Sequence, residues 1–436
     1  MRAKLGSRFG FLMVAAGCAV GLGNVWRFPF VAGQNGGAAF VLVYLAFLAL
    51  LGFPLLLAEL AVGRGAHKGI ASALGALSPA THSPLWRWLG KIIFAGNFLL
   101  MIYYTDVAGW LVKYTSNYAC GHSTSADHAA AFQSIVADRA SCSAFMFACV
   151  LFATVVCLAG VVKGVERVTK AMMISLLALL VVLAARAVSL PGASEGVAFY
   201  LAPDWAKFMD HPGKAIFDAM GQAFFTLSVG VGAMTVFGSY IGRDHSLVTE
   251  TVWIIVIDTF VALLSGLIIF PVCAAHGVDV TAGPGLIFIA LPKVFAAMPG
   301  GRAWGFFFFL FLSFAALTTI VAVFECIIGG LMDELRWTRL RATLFVGGAV
   351  AVCSLPCVFF EPVLRWEDFA VSQLWLPIGG LVLSLFVTRK CGWGYGAFRS
   401  EASAGVGWQL PSWYGAYMRW ALPLALLAVF AIGIFC

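Results

Sequence analysis

Apolar runs of about twenty residues recur along this chain, near 9–31, 37–63, 88–117, 143–161, 168–190, 215–240, 247–275, 302–332, 339–357, 367–388 and 415–436. Each is long enough to cross a hydrocarbon core of roughly 30 Å as a helix. Of the 436 residues, 62% are hydrophobic and 11% charged, whereas soluble chains carry about 25% charged residues. No soluble fold of this length hides so much apolar side chain. The expected fold is therefore an all-α polytopic membrane protein of about eleven transmembrane helices, one domain over 1–436 without a soluble appendage.

The formal charge of +7 does not indicate nucleic acid, because the basic residues lie in short connections between apolar runs rather than in a cluster. With the N-terminus inside, roughly eighteen Lys and Arg fall on the cytoplasmic side and about nine outside. The inner set includes Arg64, Lys68, Lys163, Arg167, Lys170, Arg336, Arg339, Arg341, Arg389 and Lys390. This predicts a multi-pass protein of the cell's inner (plasma) membrane with a cytoplasmic N-terminus, surrounded by membrane lipid. No obligate protein partner is evident. The first run has a basic flank (Arg2, Lys4, Arg8) but continues into Arg27-Phe28-Pro29 without a small-residue cleavage site, so it is expected to remain as a span.

Most of the cysteines, such as Cys149, Cys157, Cys326 and Cys436, lie inside apolar runs, where a thiol behaves as a small hydrophobe. Cys120 and Cys142 share one expected outside loop and can form a disulfide, although spacing alone does not fix the geometry. Two outside segments are long. Residues 191–214 are rich in Gly, Pro and aromatic side chains, and 276–301 hold an apolar piece too short to span, as in a re-entrant or capping hairpin.

Two runs are interrupted by glycines at matching places, each in the first helix of a five-helix half. The first reads Ala16-Gly17-Cys18-Ala19-Val20-Gly21-Leu22-Gly23-Asn24, the sixth Thr226-Leu227-Ser228-Val229-Gly230-Val231-Gly232. Closely spaced glycines permit a helix to break. A break at membrane depth strands N–H and C=O groups, which is tolerable where they line a polar cavity or bind something. Half-helix N-termini favour a carboxylate and freed carbonyls favour Na⁺. The bland alternative is that these glycines only let helices pack closely.

The segments GCAVGLGNVWRFPFVAGQNGGAAF, GVERVTK, PGASEGVAFYLAPDW, GQAFFTLSVGVGAM and GPGLIFIALPKVF, in this order, resemble the neurotransmitter:sodium symporter family in its bacterial amino-acid branch. That resemblance implies a LeuT-like fold, a 5+5 inverted repeat with discontinuous helices 1 and 6. Helices 1–5 would occupy about 9–190, helices 6–10 about 215–388, and helix 11 about 415–436. It implies one sodium site at Ala19, Asn24, Thr226 and Asp258, completed by the substrate carboxylate. A second would use carbonyls of Gly17, Val20 and Ala315 with the hydroxyls of Thr318 and Thr319. All these groups offer oxygen, as a hard cation requires. The local alternative for the two threonines is back-bonding to the preceding turn.

By the same resemblance the substrate carboxylate rests on N–H groups near Leu22 and Gly23 and on the Tyr104 hydroxyl. Its amino group meets carbonyls of Phe225, Thr226 and Ser228, and its side chain meets Leu100, Tyr104, Phe225, Val231, Thr319 and Val323. Gly21 stands where amine carriers of the family hold an aspartate, so the substrate brings its own carboxylate. Arg27 and Asp368 resemble an outer gate above a lid of Tyr104 and Phe225. Arg2 and Asp333 resemble an inner gate, with Tyr240 nearby.

Asp258 stands in the run WIIVIDTFVALLSG. A carboxylate at that depth costs a few kcal/mol unless paired, and marks function. Many family members carry Asn there and balance the ions with a nearby anion; here the position one turn on is Ala262. Asp258 is therefore expected to be both sodium ligand and fixed negative charge, making transport independent of chloride. The competing role is proton exchange. Glu59 is expected to hold the broken backbone of the sixth helix, while Asp106 and Glu325 have no place in the family pattern. Family members often carry proline ten positions after Gly164; Ile174 stands there, which leaves the inward release route unexplained.

The expected activity is sodium-coupled symport, with two Na⁺, of a neutral and hydrophobic L-amino acid. Alternatives are a carrier of another zwitterion (a betaine or an ω-amino acid) and a channel or sensor that binds without transporting. An intramembrane enzyme would need a nucleophile–base pair or metal cluster at membrane depth, and the sequence shows neither.

Overall fold

The computed structural model describes residues 5–121, 127–278 and 285–435. Eight helices are long and apolar enough to cross a membrane unaided: Ala38–Ala66, Ser83–Cys120, Arg139–Leu158, Val161–Val188, Leu247–Ala275, Gly301–Leu335, Arg339–Phe359 and Glu361–Thr388. The pair Arg8–Ala19 and Gly23–Gln34, bent by 58° at its break, makes a ninth. Pro212–Thr226 and Ala233–Gly238 form the interrupted sixth span, and the helical stretch from Tyr414 to Phe435 forms the last. A helical segment therefore lies at each expected crossing. Several begin earlier than their apolar run does, because a polar N-cap and not hydropathy starts the helix. Ser7 and Asp138 each accept a backbone N–H of the first turn.

Proline shapes the interior of these spans. Five wide turns with i→i+5 hydrogen bonds end just before Pro29, Pro54, Pro292, Pro377 and Pro423. The ring of each proline would clash with the carbonyl four residues earlier, so the preceding turn opens and takes in one extra residue. The wide turn Val161–Glu166 of the fifth span lacks a proline and follows Gly160 at φ +95°. Ile174 lies within the continuous helix Arg167–Val188 and faces outward, half exposed.

Between spans, the long segments expected outside fold as Ala193–Leu201, Trp205–Asp210 and the apolar helix Leu286–Ala297. The disulfide left open between Cys120 and Cys142 is not formed: both thiols are free. Cys120 is exposed at the end of the third span, whereas Cys142 is buried within the fourth and bonds the Ile135 carbonyl at 3.1 Å. Cys436 lies outside the described residues.

Candidate functional site between two broken helices

The first span stops at Ala19 and resumes at Gly23. The sixth stops at Thr226 and resumes at Ala233. Between them the chain passes through left-handed backbone at Ser228 (φ 51°), Gly230 (φ 103°) and Gly232 (φ 74°). Glycine adopts such angles without penalty, whereas a serine there is strained, and such strain concentrates at functional sites. Glu59 of the second span, fully buried, accepts hydrogen bonds from the N–H groups of Gly230 (2.7 Å), Gly232 (3.2 Å) and Met234 (3.0 Å). One carboxylate thus satisfies three of the donors stranded by the break. Asn97 of the third span donates to the Val231 carbonyl at 2.6 Å, a clasp the sequence reading missed.

Asn24, Thr226 and Asp258 meet in one fully buried cluster. The Asn24 amide donates to Thr226 Oγ1 (2.8 Å) and to Asp258 Oδ1 (2.8 Å), and the Thr226 hydroxyl donates to Asp258 Oδ2 (2.9 Å). Asn24 Oδ1 accepts from the Gly21 N–H at 3.0 Å. Among the described residues no basic side chain pairs with Asp258. A carboxylate held this way in a dry interior is strongly disfavoured unless a cation joins it.

A second oxygen cluster joins the first span to the eighth. Thr319 Oγ1 lies 3.4 Å from the Gly17 carbonyl, 3.2 Å from that of Val20 and 3.1 Å from that of Ala315. Thr318 bonds the Phe314 and Ala315 carbonyls of its own helix at 2.9 and 3.0 Å, the local arrangement allowed for it from sequence, while its Cβ faces Gly17.

Between the clusters lies a cavity of about 30 Å³ lined by Ala19, Gly21, Leu22, Gly23, Leu100, Tyr104, Phe225, Ser228, Val231 and Thr319, together with Val371 and Leu376 of the tenth span. The Leu22 N–H donates to the Tyr104 hydroxyl at 3.3 Å. A side chain at Gly21 would stand 2.8 Å from that hydroxyl, so only glycine leaves room there. A volume of this size admits a few waters; Phe225 and Tyr104 must give way before a molecule of amino-acid size fits. Val323 is buried outside this lining. Val371 and Leu376 were not anticipated.

Above Phe225 and Tyr104 a vestibule of about 240 Å³ is lined by residues including Trp26, Arg27, Tyr103, Leu364 and Asp368. The Arg27 guanidinium lies 4.9 Å over the Phe225 ring, and makes no ion pair with Asp368. The opposite end is bridged. Buried Glu325 accepts from Tyr240 (2.6 Å) and from both terminal nitrogens of Arg339 (3.1 and 2.5 Å). Asp333 accepts from the Gly69 N–H at 2.7 Å; Arg2, its expected partner, lies outside the described residues. Glu166 accepts from Gly6 N (2.6 Å) and Ser7 (3.2 Å), and Arg8 pairs with buried Glu250 at 2.8 Å. Arg64, fully buried, pairs with Glu401 at 2.7 Å, which also takes Arg243 at 2.6 Å. Asp106 is buried in the third span, and its carboxylate oxygens have no hydrogen-bond partner among the described residues.

Comparisons with known proteins agree with this fold. The family model described as the sodium:neurotransmitter symporter family matches residues 2–123 and 127–435. An uncharacterized sodium-dependent transporter of Bacillus subtilis (strain 168) is 34% identical, over 97% of this chain and 96% of its own length. The sodium-dependent serotonin transporter of Drosophila melanogaster is 30% identical, over 99% of this chain and 76% of its own length. Among solved structures, MhsT in complex with L-phenylalanine superposes with a TM-score of 0.88 at 34% identity, covering 99% of this chain and 100% of that one.

Proposed function

From its membership of the sodium:neurotransmitter symporter family, which makes it a sodium-dependent membrane transporter and not an enzyme, we propose that this chain carries a neutral, hydrophobic L-amino acid inward with two sodium ions, independently of chloride. The observation that supports this most directly is Asp258, buried without a basic partner and sharing Asn24 and Thr226. A sodium ion there would be bound by Ala19, Asn24, Thr226 and Asp258 and touch the substrate carboxylate. A second would lie at Gly17, Val20, Ala315, Thr318 and Thr319. Oxygen donors of mixed charge suit a hard cation.

The substrate carboxylate would take the N–H groups at the start of Gly23–Arg27, where the helix dipole favours an anion. Its amino group would face the carbonyls freed between Phe225 and Ser228. The remaining lining is apolar apart from Tyr104, Ser228 and Thr319, which suits an uncharged side chain. The solved structure with L-phenylalanine, similar over nearly the whole chain, supports the same substrate class. Entry would be from the vestibule past Phe225, with Arg27 and Asp368 closing above. Release would require the bonds of Tyr240, Glu325 and Arg339 to part, with Asp333 among the inner gate residues. In this reading the chain is one transporter domain, multi-pass in the inner (plasma) membrane with its N-terminus cytoplasmic and no obligate protein partner.

Uptake of labelled neutral amino acids into proteoliposomes, with Na⁺ and Cl⁻ varied separately, tests this. Uptake should require Na⁺ and persist at full rate in gluconate. Strict chloride dependence would remove the role given to Asp258. Asp258→Asn should lower uptake without chloride by roughly 10-fold, as the loss of one charged hydrogen bond predicts, with chloride restoring part of it.

A further inference from the structure

The tenth span contributes two neighbours to the central cavity, Val371 and Leu376, buried to 1% and 4% exposure. Five residues apart on an ordinary α-helix, they would point about 140° away from each other. They share a face because the turn between them is wide: the Leu376 N–H bonds the Val371 carbonyl directly, stacking residue i+5 over residue i. Pro377, next along the chain, brings this about, since it has no N–H to continue the regular ladder. We infer that Val371 and Leu376, paired by the proline-driven wide turn of the tenth span, form the wall that sets which substrate side chain fits. This rests on the reading of the cavity as an amino-acid site.

The wall is fixed in place from three sides. Trp375 Nε1 donates to the Ile92 carbonyl of the third span at 2.8 Å. The Leu376 carbonyl lies against Gly230, where an added Cβ would stand 2.1 Å away. Gly379, a turn below, touches the Gly230 carbonyl so closely that a Cβ would stand 1.6 Å from it. The tenth span thus packs flush on the break of the sixth, and Leu376 cannot move aside without disturbing the backbone that Glu59 holds. One turn before Val371 stands Asp368 of the vestibule, bonded by Ser372 at 3.3 Å. A side chain pressing on Val371 therefore presses on the helix that carries the outer gate, so that fit is sensed where closure occurs.

The test is the ratio of kcat/KM for tryptophan over alanine in sodium-driven proteoliposome uptake. A ratio within one preparation does not depend on the fraction of folded protein. Val371→Ala and Leu376→Ala should each raise it roughly 10-fold or more, the discrimination that a methylene or two supplies in a fitted apolar pocket. Val371→Phe should lower it by a similar factor. Pro377→Ala, which restores an N–H and lets the wide turn relax, should also shift the ratio while leaving both lining side chains intact. Val382→Ala, lower on the same span, should leave it unchanged. Ratios unmoved in both alanine variants, with brisk uptake by the unsubstituted protein, overturn this inference alone. A ratio unmoved in Pro377→Ala overturns the part given to the wide turn. No sodium-driven uptake of any neutral amino acid by the unsubstituted protein overturns the functional reading and this inference with it.

Discussion

The two mouths of this molecule are built on different principles. At the one proposed as outer, opposite the one proposed as inner, Arg27 and Asp368 face the same vestibule without pairing, and Arg27 rests over the Phe225 ring. At the inner one, Tyr240 and Arg339 converge on buried Glu325, Arg8 reaches Glu250, and Glu166 grips Gly6 and Ser7. The outer mouth rests on weak, polarizable contacts that a substrate can complete. The inner mouth rests on three buried carboxylates, Glu325, Glu250 and Glu166, each of which loses hydrogen-bond donors when its contacts part. The difference implies that closing the outside is the low-cost step and opening the inside the costly one, set off by what binds between them.

Replacing Glu325 by Ala tests this most severely. It removes the carboxylate that joins Tyr240 to Arg339, and because Arg339 is 23% exposed and keeps the Cys157 carbonyl, the loss should be about 3 kcal/mol, the low end for one partner of a buried pair. The inner mouth should then stand open, and Cys18, fully buried here, should become alkylated from the cytoplasmic side once Cys120, Cys353 and Cys391 are replaced. Unchanged protection would dissolve the contrast. Glu166→Gln comes next: it weakens two bonds to the N-terminal segment, about 1.5–3 kcal/mol between them for a charged acceptor, and should speed the same alkylation. This variant also bears on the fifth span, which begins as a wide turn and has Ile174 where family members often carry proline. If Glu166→Gln leaves inward release unchanged, the grip on Gly6 and Ser7 is not what holds that end shut.

The outer mouth predicts smaller changes. Arg27→Lys loses the planar stack on Phe225, about 0.5–1 kcal/mol, and should raise the rate of substrate dissociation into the outer medium several-fold. Smallest of all, Asp368→Asn should leave the unfolding free energy of ligand-free protein within about 0.5 kcal/mol of the original, as for an exposed side chain outside any ion pair. If Asp368→Asn destabilised the protein as much as Glu325→Ala, the two mouths would be alike after all.

The spans and both breaks were legible in the sequence because hydropathy and glycine act locally. Gly21, Gly230 and Gly232 announce their own backbone angles or clearances, and Glu59 announces a need for partners by its depth. The partners of Glu325, Arg64 and Glu401 were not legible. Arg64 and Glu401 are 337 residues apart, and nothing local marks them as a pair. Arg339 looked like one more basic residue on the cytoplasmic side. Val371 and Leu376 escaped for another reason: helix periodicity assigns them to different faces, and only the turn ahead of Pro377 unites them. That proline was a signal available from the start. The pairing of Cys120 and Cys142 was left open by the sequence because spacing does not reveal which thiol is turned inward.

Glu59 has a consequence for how the chain is made. It enters the bilayer in the second span, well before Gly230, Gly232 and Met234 are synthesised. Until the two meet, an acid waits in hydrocarbon for donors that do not yet exist, and the later segment, once inserted, has bare amides in search of an acceptor. Each half is thus an incomplete product that the other half finishes. Quality control in the membrane could read a single stray carboxylate as the sign of a nascent chain that never reached its second half.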